Sequence, residues 1–323
     1  MRIAIIGDGI AARSLLYNLS LLKSEVIEVH QFSSSKISSC SRNSTAVVAK
    51  RATQKGISEL GNLIVDAYNE FESFLENFSG AGVDTTSEYI IGKSLESYQK
   101  KIKPRYAAVY EEESGDELIE LCINHKQKFF KEKAYLIEPD IFLDSLKSIY
   151  EKKLSVKQVE DKIIGQDNLT LQGGKSTYGS FDNIIYCMGS IPQFVVEEKS
   201  QPVAGSFWQV NQENEKSFSL NCDGHHFMQK KNCSLFGSTS NANSVSMNQD
   251  EVEKIISQLS PLVQQEYLIA EGEFKTGIRY KGKKRMPKIG EIGPNTFCIA
   301  NLYKNGWSLA FLAAKKISRQ LKV

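Results

Sequence analysis

The sequence predicts an α/β plus α+β fold, in which a domain with a parallel sheet is joined to a domain with an antiparallel sheet. Three observations lead to this prediction. The chain opens with a strand, a glycine turn, a helix and a second strand; its middle is strand-rich; and its C-terminal part returns to a strand and a helix. The 323 residues are enough to bury a large core and to form two domains.

The N-terminal pattern is typical of a dinucleotide-binding βαβ unit. The apolar run 3–6 stops at Gly7, as a buried parallel strand does, leucines at helical spacing follow, and the apolar run 26–29 predicts the second strand. In the intervening GDGIAA, Gly7 makes the sharp turn, Gly9 lets the backbone approach a pyrophosphate, and Ala12 allows the helix to lie close to the strand. The free N–H groups and the positive end of the helix dipole would bind the anion.

The residue that should bind the ribose hydroxyls is not acidic here. An acidic residue usually closes the second strand, and the usual spacing puts His30 at that position, with Gln31 next. Either side chain could hydrogen-bond a ribose, whereas His30 could equally be an ordinary surface histidine. Asp8, inside the turn, must point its carboxylate away from a bound phosphate.

The elements up to residue 150 alternate loop, helix and sheet. Residues 32–52 form a serine-rich loop with little core, and residues 59–78 carry the apolar spacing of an amphipathic helix. Residues 80–134 mix aromatic, charged and β-branched types without a helical period, which predicts mostly antiparallel sheet. The acidic and proline cluster at residues 138–140 opens a further helix with one apolar face.

The later elements repeat the strand signals of the N-terminus. Short apolar runs predict strands at 156–159, 168–171 and 184–187, with a hairpin turn at 173–174. Residues 201–279 are strand-rich with one helix near residues 249–259. The chain then closes with the strand TFCIAN, the turn LYKNGW and a helix that has basic residues near its end, as the helix dipole prefers.

Composition excludes several classes of protein. Lys+Arg 40 against Asp+Glu 38 gives a net charge of +2, too close to balance to indicate nucleic-acid binding by net charge. The basic run KGKKRMPK, residues 281–288, is either a solvated loop or a segment that attracts an anionic partner. No apolar stretch approaches the ~20 residues of a membrane span, so no membrane association is expected.

The six cysteines predict a cytoplasmic protein with reduced thiols, because they are scattered without a CxxC pair. The segment CDGHHFMQKKNC clusters cysteine and histidine, but adjacent histidines point to opposite faces of a strand and the spacing matches no zinc pattern. No metal site is therefore predicted. The sequence does not indicate an oligomeric state.

The order of these pieces resembles the D-amino acid oxidase (DAO) family of FAD-dependent oxidoreductases. The resemblance covers nearly the whole chain and rests on GDGIAA, SSCSRNSTAVV, YLIEPDIFLDSL, FDNIIYCMGS, LFGSTS, GIRYKGKKRMPKIGEI and NLYKNGWSLAFLAAKKI. It implies a Rossmann-type FAD-binding domain assembled from discontinuous segments and an antiparallel-sheet substrate domain. The expected FAD-binding segments are 1–79, 135–200 and 285–323, and the expected substrate or cap segments are 80–134 and 201–284.

The resemblance also implies the site residues. Arg279 matches the arginine of the family's G-x-R segment and would grip a substrate carboxylate with its planar fork, although a structural salt bridge is the alternative. No cysteine stands where sarcosine oxidases attach their flavin, so noncovalent FAD is expected. The implied cofactor-binding residues are Gly7, Gly9 and Ala12 at the pyrophosphate, Arg42, Asn43, Ser44 and Thr45 beside the flavin, Val159 near the adenine, Gly189 at a close approach to the cofactor, and Asn305, Gly306, Trp307 and Ser308 near the flavin ring.

Two features depart from the family pattern: Lys284-Arg285-Met286 precede Pro287 where an acidic residue is common, and the glycine-rich turn before the last helix is reduced to KNGW. Three functions are therefore considered. The first is an FAD-dependent oxidase that takes a hydride from a carbon next to the nitrogen of an amine or amino acid, with O2 reoxidising the flavin. The second is a flavoprotein that modifies or matures a macromolecule, a protein side chain or RNA. The third is an NAD(P)-dependent dehydrogenase that shares only the N-terminal fold.

Overall fold

A computed structural model of the protein describes residues 1–22, 28–34, 39–50, 58–91, 111–113, 121, 129–263 and 271–321. The α-helices in this part of the chain are α1 (Ile10–Leu19), α2 (Glu59–Leu75), α3 (Pro139–Tyr150), α4 (Gln249–Leu259) and α5 (Gly306–Gln320). The strands are β1 (Arg2–Ile6), β2 (Glu28–Ser33), β3 (Val47–Val48), β4 (Val83–Ile91), β5 (Glu111–Glu113), β6 (Phe129–Ile137), β7 (Ser155–Glu160), β8 (Ile163–Asp167), β9 (Thr170–Gly173), β10 (Thr177–Tyr178), β11 (Asn183–Gly189), β12 (Gln201–Asn211), β13 (Phe218–Cys222), β14 (His225–Lys230), β15 (Cys233–Gly237), β16 (Asn241–Ala242), β17 (Gly272–Lys281), β18 (Lys288–Gly293) and β19 (Thr296–Ala300).

The first sheet has the strand order β18-β19-β11-β1-β2-β7, and only the edge pair β18 and β19 is antiparallel. Its central strands are apolar on both faces because both faces are covered; β1 is buried except at Arg2, and β19 is buried throughout. On one face, leucines of α1 and alanines of α5 pack with Ile3, Ile5 and Ile185 in a shared core. The second face is covered by the small sheet β10-β9-β8.

The second sheet is larger and runs β16-β12-β15-β14-β13-β4-β6-β3, with β17 paired to β12 and β5 to β6. It is antiparallel except where β4 and β13 run parallel. Aromatic residues of α2, α3 and α5, together with Tyr135 and Ile137 of β6, form a core next to this sheet. The core includes Phe74 and Phe311, whose ring centroids are 4.1 Å apart.

Most predicted elements lie where expected, and the differences concern their ends. α2 ends at Leu75, three residues before the predicted end at residue 78. Phe78, the last apolar position of the predicted helix, lies after the helix and still packs on Phe74, with ring centroids 4.8 Å apart. Asn168 belongs to the turn between β8 and β9, where its φ of +49° suits asparagine. Of the residues predicted as sheet at 80–134, residues 92–110, 114–120 and 122–128 lie outside the described part.

The largest difference is at β2, which runs on to Ser33. The prediction put the apolar run of this strand at residues 26–29, of which 26 and 27 lie outside the described part, and put His30 at the close of the strand. In the structure His30 and Gln31 are both buried and remain in register, His30 beside Ala4 and Gln31 beside Ile5. A strand held between two parallel neighbours keeps pairing through polar residues, since the paired backbone would otherwise be left unsatisfied.

The strands of the first sheet fall within segments 1–79, 135–200 and 285–323, which the sequence assigned to one domain. The second sheet takes most of its strands from segments 80–134 and 201–284. Two strands depart from this division: β3 joins the second sheet, and β6 crosses position 135. The exact domain boundaries stay a prediction.

Candidate active site

A cavity of about 1480 Å³ lies between the two sheets. Strands β7, β2, β1, β11 and β19 are parallel, so their carboxyl ends meet at one edge of the first sheet, and the cavity follows that edge. Five adjacent strands span roughly 20 Å at the usual strand spacing. The opposite wall carries residues of β12, β13, β14 and β17. This elongated cleft has the position and extent that a dinucleotide needs.

The turn after β1 is built so that backbone can approach a ligand. Gly7 has a φ of +132°, and a Cβ placed on it would lie 2.3 Å from the carbonyl oxygen of Cys187 on β11. Only glycine fits this contact. Gly9 is the extended N-cap of α1, and the next N–H, that of Ile10, donates to Ser41 Oγ at 3.0 Å. The start of α1 thus contacts the serine-rich loop where both line the cavity, with small residues on both sides.

Asp8 is held by neighbours that neutralise its carboxylate. The buried Arg13 contacts it at 2.9 Å, and the Gln31 amide donates to Asp8 Oδ1 at 3.2 Å and to the Gly7 carbonyl oxygen at 2.9 Å. Gln31 in turn accepts a hydrogen bond from Gln158 Nε2 on β7. Gln31 therefore fixes the glycine turn from behind and does not line the cavity.

His30 also lies away from the cavity. It is 7% exposed, contacts Glu28 Oε1 through Nε2 at 2.6 Å, and packs edge-on against Phe181. This hydrogen bond from His30 lowers the pKa of Glu28. The residues of this strand that line the cavity are Phe32, Ser33 and the following Ser34. The carboxyl end of β2 thus places two serine hydroxyls where the spacing had put His30 and Gln31.

The serine-rich loop is a wall of the site and not a surface linker. Residues 39–47 line the cavity, among them Arg42, Asn43, Ser44 and Thr45. The Arg42 guanidinium is fixed from the other side by ion pairs to Asp140 and Asp144 of α3.

The same loop contacts two other walls of the cavity. Trp307 Nε1 donates to Ser44 Oγ at 2.9 Å. A Cβ on Gly277 would lie 2.4 Å from the Asn43 carbonyl oxygen, so β17 and the loop pack without a side chain between them.

Cys40 is part of this loop, and burial raises the pKa of its thiol to about 11, although Arg279 opposes that shift. The thiol is therefore protonated at neutral pH. The five cysteines in the described part of the chain are free thiols.

Arg279 presents a guanidinium to the cavity without a carboxylate partner. Its Nη2 donates to the Thr239 carbonyl oxygen at 2.8 Å, its guanidinium carbon lies 5.7 Å from the Tyr303 ring centroid, and its Nε is buried without an acceptor. No ion pair of Arg279 occurs among the residues that the structure describes, so the salt-bridge alternative is not realised there. Burial lowers the pKa of Arg279 from its ordinary value, because it disfavours the charged guanidinium. An anion bound beside this guanidinium would favour the charged form again.

Two polar residues of the second sheet, which the sequence analysis had not assigned to the site, line the cavity. Asn221 of β13 and His226 of β14 are cross-strand partners. Asn221 is 4% exposed, and its amide oxygen has no hydrogen-bond partner. A buried acceptor of this kind is available to a donor, either an ordered water or a ligand. The sequence signal was the CDGHHFMQKKNC segment, whose histidines were weighed only as metal ligands.

The start of α5 completes the far end of the cavity. Asn305, Gly306, Trp307 and Ser308 all line it, the N-cap makes no side-chain hydrogen bond to the helix, and no acidic residue occupies the first turn. The positive end of the helix dipole therefore faces the cavity without compensation. Gly189, with a φ of +82°, lines the cavity from the end of β11.

The structure brings together all the predicted site residues except Ala12, His30 and Gln31. Val159 lies at the β7 end and Arg279 at the β19 end. Ala12 is buried against the first sheet, as the close packing of α1 requires. The described residues contain no group of acidic, histidine and cysteine side chains that could hold a metal. None of the described helices is both long and apolar enough to cross a membrane.

Comparisons with known proteins identify the family and similar folds. Residues 2–320 match the family model DAO, described as FAD dependent oxidoreductase. Glycine oxidase from Bacillus cereus ATCC 14579 superimposes with a TM-score of 0.84 at 13% identity, covering 99% of this chain and 94% of that one. Iminodiacetate oxidase from Chelativorans sp. BNC1 gives 0.82 at 13% identity, covering 97% and 93%. L-α-glycerophosphate oxidase from Mycoplasma pneumoniae, with FAD bound, gives 0.78 at 14% identity, covering 100% and 94%. No curated protein sequence matched.

Proposed function

Because this chain belongs to the DAO family of FAD-dependent oxidoreductases, we propose that it oxidises the C–N bond of an amine or amino acid whose carboxylate binds Arg279. The observation that carries the proposal is the Arg279 guanidinium, which lines the cavity with a buried Nε and no described carboxylate partner. Iminodiacetate oxidase and glycine oxidase, two similar folds, are named for substrates that combine an amine and a carboxylate. Bound FAD would supply the acceptor for a hydride from the carbon next to nitrogen, and O2 is the proposed acceptor of its electrons.

The residues of the cleft fit noncovalent FAD. Gly7 and Gly9 leave room for a pyrophosphate, and the N–H groups at the start of α1 can donate to it. Val159 lines the β7 end and would contact the adenine. Arg42 to Thr45 and the start of α5 would border the flavin, where the positive end of the α5 dipole would favour negative charge.

The protein's own part in the reaction is to position the substrate, which binds as the neutral amine after its ammonium proton has passed to water. Arg279 fixes the carboxylate, which orients the neighbouring C–H bond. The neutral amine is the form that can lose a hydride, and no dedicated base is required.

The test is the colour and reactivity of the purified protein. We expect a yellow protein whose flavin is bleached anaerobically by one of a panel of amines that includes glycine, sarcosine and D-amino acids. A colourless preparation that cannot be reconstituted with FAD would contradict the proposal. The family match favours FAD over the nicotinamide alternative.

A macromolecular substrate is the second candidate, because exposed basic residues of the 281–288 run line the cavity. An FAD-containing protein that is bleached by no small amine, but by a peptide or RNA, would favour it. A cytoplasmic location, in keeping with the free thiols, stays a prediction.

Ser33 and Ser34 are proposed to hold the ribose in place of the missing acidic residue. We expect the double variant Ser33→Ala/Ser34→Ala to bind FAD about tenfold more weakly, because each lost hydroxyl hydrogen bond costs about 0.5–1.5 kcal/mol. FAD titration of the apoprotein measures this. His30→Ala is the matched control: it should change FAD affinity by no more than about twofold and instead lower the free energy of unfolding by ~1–2 kcal/mol, since it removes a buried side chain. The reverse ranking would restore His30 as the ribose ligand.

A further inference from the structure

A group of basic residues forms the rim of the cavity at its β19 end. Lys284, Arg285 and Lys304 line the cavity and are exposed, whereas the neighbouring Lys283 is exposed but does not line it. Lys304 and Arg279 lie 5.8 and 5.7 Å from the centroid of one ring, that of Tyr303. The rim therefore continues directly from the guanidinium assigned to the substrate carboxylate.

The rim consists of two turns that are joined to each other. An isolated bridge pairs Lys281 with Leu302, next to the turns 282–286 and 301–305. Tyr303 is fixed further by a 2.9 Å hydrogen bond with Ser240. A Cβ on Gly282 would lie 2.3 Å from the Met286 carbonyl oxygen, so the first turn needs glycine to close.

The backbone of the rim is held in an unfavourable conformation. Lys284, Arg285 and Tyr303 have φ values of +53°, +64° and +53°. Non-glycine residues in this region each cost on the order of 1 kcal/mol, and such strain persists mainly at ligand clamps and active sites. Two successive long cationic side chains are thus kept in a conformation that turns them to the cavity.

The positive charge of Lys284 and Arg285 is not balanced by the described carboxylates of the cavity. Neither side chain forms an ion pair with any residue that the structure describes. Of the carboxylates that line the cavity, Asp8 is paired with Arg13, and Glu160 and Asp161 lie at the opposite end, after β7. The last, Glu59 at the start of α2, forms no ion pair with these two residues.

We propose that the substrate carries a second anionic group, a carboxylate or a phosphate, that binds Lys284, Arg285 and Lys304 while its first carboxylate binds Arg279. This inference rests on the proposed function and narrows its substrate class to amines with two anionic groups. Three exposed cationic side chains on two short turns can bind one compact anionic group. The rim does not form the extended basic track that a nucleic-acid backbone occupies.

The test is equilibrium binding of unreactive acids to the FAD-loaded protein. Succinate, glutarate, adipate and pimelate are each compared by calorimetry with the monocarboxylate of the same chain length, and 4-phosphonobutyrate is compared with glutarate. The variants are Lys284→Gln/Arg285→Gln and, as the matched control, Lys283→Gln. Glutamine keeps the length of the side chain and is no more strained at a positive φ than lysine or arginine.

At least one diacid should bind about tenfold more tightly than its monoacid, and the double variant should remove that advantage while leaving the monoacid within about twofold. Tighter binding of 4-phosphonobutyrate than of glutarate supports a phosphate as the second group, and the opposite order supports a carboxylate. Lys283→Gln should leave every affinity within about twofold.

The proposal is overturned if no diacid is preferred, or if Lys283→Gln loses as much as the double variant. Bulk tRNA that binds more tightly than every diacid, and depends equally on Lys283, would overturn it in favour of a nucleic acid. Because no turnover is measured, an enzyme that oxidises amines without diacid preference contradicts this inference alone. A protein that binds no FAD contradicts the proposed function instead.

Discussion

Gly9→Val is expected to give a protein that folds but purifies without FAD. A Cβ on Gly9 lies 3.0 Å from Ser41 Oγ and 3.3 Å from Ser39 Oγ, so a branched side chain fills the gap between the start of α1 and the serine-rich loop. A pyrophosphate bound beside Gly9 in the cavity would accept hydrogen bonds from the first N–H groups of α1. Each such bond to a charged group contributes about 1.5–3 kcal/mol, so losing two of them weakens FAD by at least about a hundredfold.

The measurement is flavin absorbance per protein, followed by FAD titration of the apoprotein, with circular dichroism to confirm the fold. Gly179→Val is the matched control, because Gly179 is exposed and a Cβ placed on it would have nothing within 4 Å. Gly7 is a poorer choice for the test, since its Cβ would collide with the backbone of β11 and disturb the fold itself. Full FAD content in Gly9→Val would mean that GDGIAA is only a turn.

Arg279→Ala is expected to keep the flavin and to lose its reduction by substrate. In the described structure the guanidinium contacts the Thr239 carbonyl oxygen and the Tyr303 ring, neither of which is among the residues proposed to hold FAD. Truncating the partner of a carboxylate in a partly buried site costs about 2–5 kcal/mol. The apparent second-order rate of flavin bleaching by an amino acid should therefore fall by at least about thirtyfold.

Anaerobic stopped-flow absorbance measures this rate, and Arg279→Lys is the matched variant. Lysine keeps the charge but not the planar fork, so it should recover only part of the loss. A variant Arg279→Ala that purifies colourless would show that the residue supports the flavin, and the site map would then be wrong at the substrate end. Unchanged bleaching would mean that another group binds the carboxylate.

The local elements of this protein could be predicted from its sequence because they follow from short-range physics. The apolar run before Gly7 and the spacing of the leucines fix β1 and α1, and the acidic and proline cluster at 138–140 fixes the start of α3. The glycines of GDGIAA were also predictable, because a turn that lets two backbones approach each other excludes a side chain. Arg279 and the start of α5 were assigned to the site through the family resemblance and not through the spacing of residues.

Only the tertiary structure decided which side chains reach the cavity. His30 and Gln31 are polar and were expected at the end of a strand. In the structure, β2 pairs with both β1 and β7 and continues to Ser33, so the side chains of His30 and Gln31 are buried. Asn221 and His226 come to the site through the pairing of β13 with β14, and Lys284 and Arg285 through the bridge between Lys281 and Leu302.

The physical reason for this division is the range of the interactions. Helical periodicity and glycine turns depend on residues a few positions apart, so the sequence by itself determined the βαβ opening, the helices and the glycine turn. Strand register and the lining of a cleft depend on hydrogen bonds between strands far apart in the chain, such as β1 with β11. A shift of one residue in such a pairing reverses which side chains face the cavity, and local sequence does not encode it.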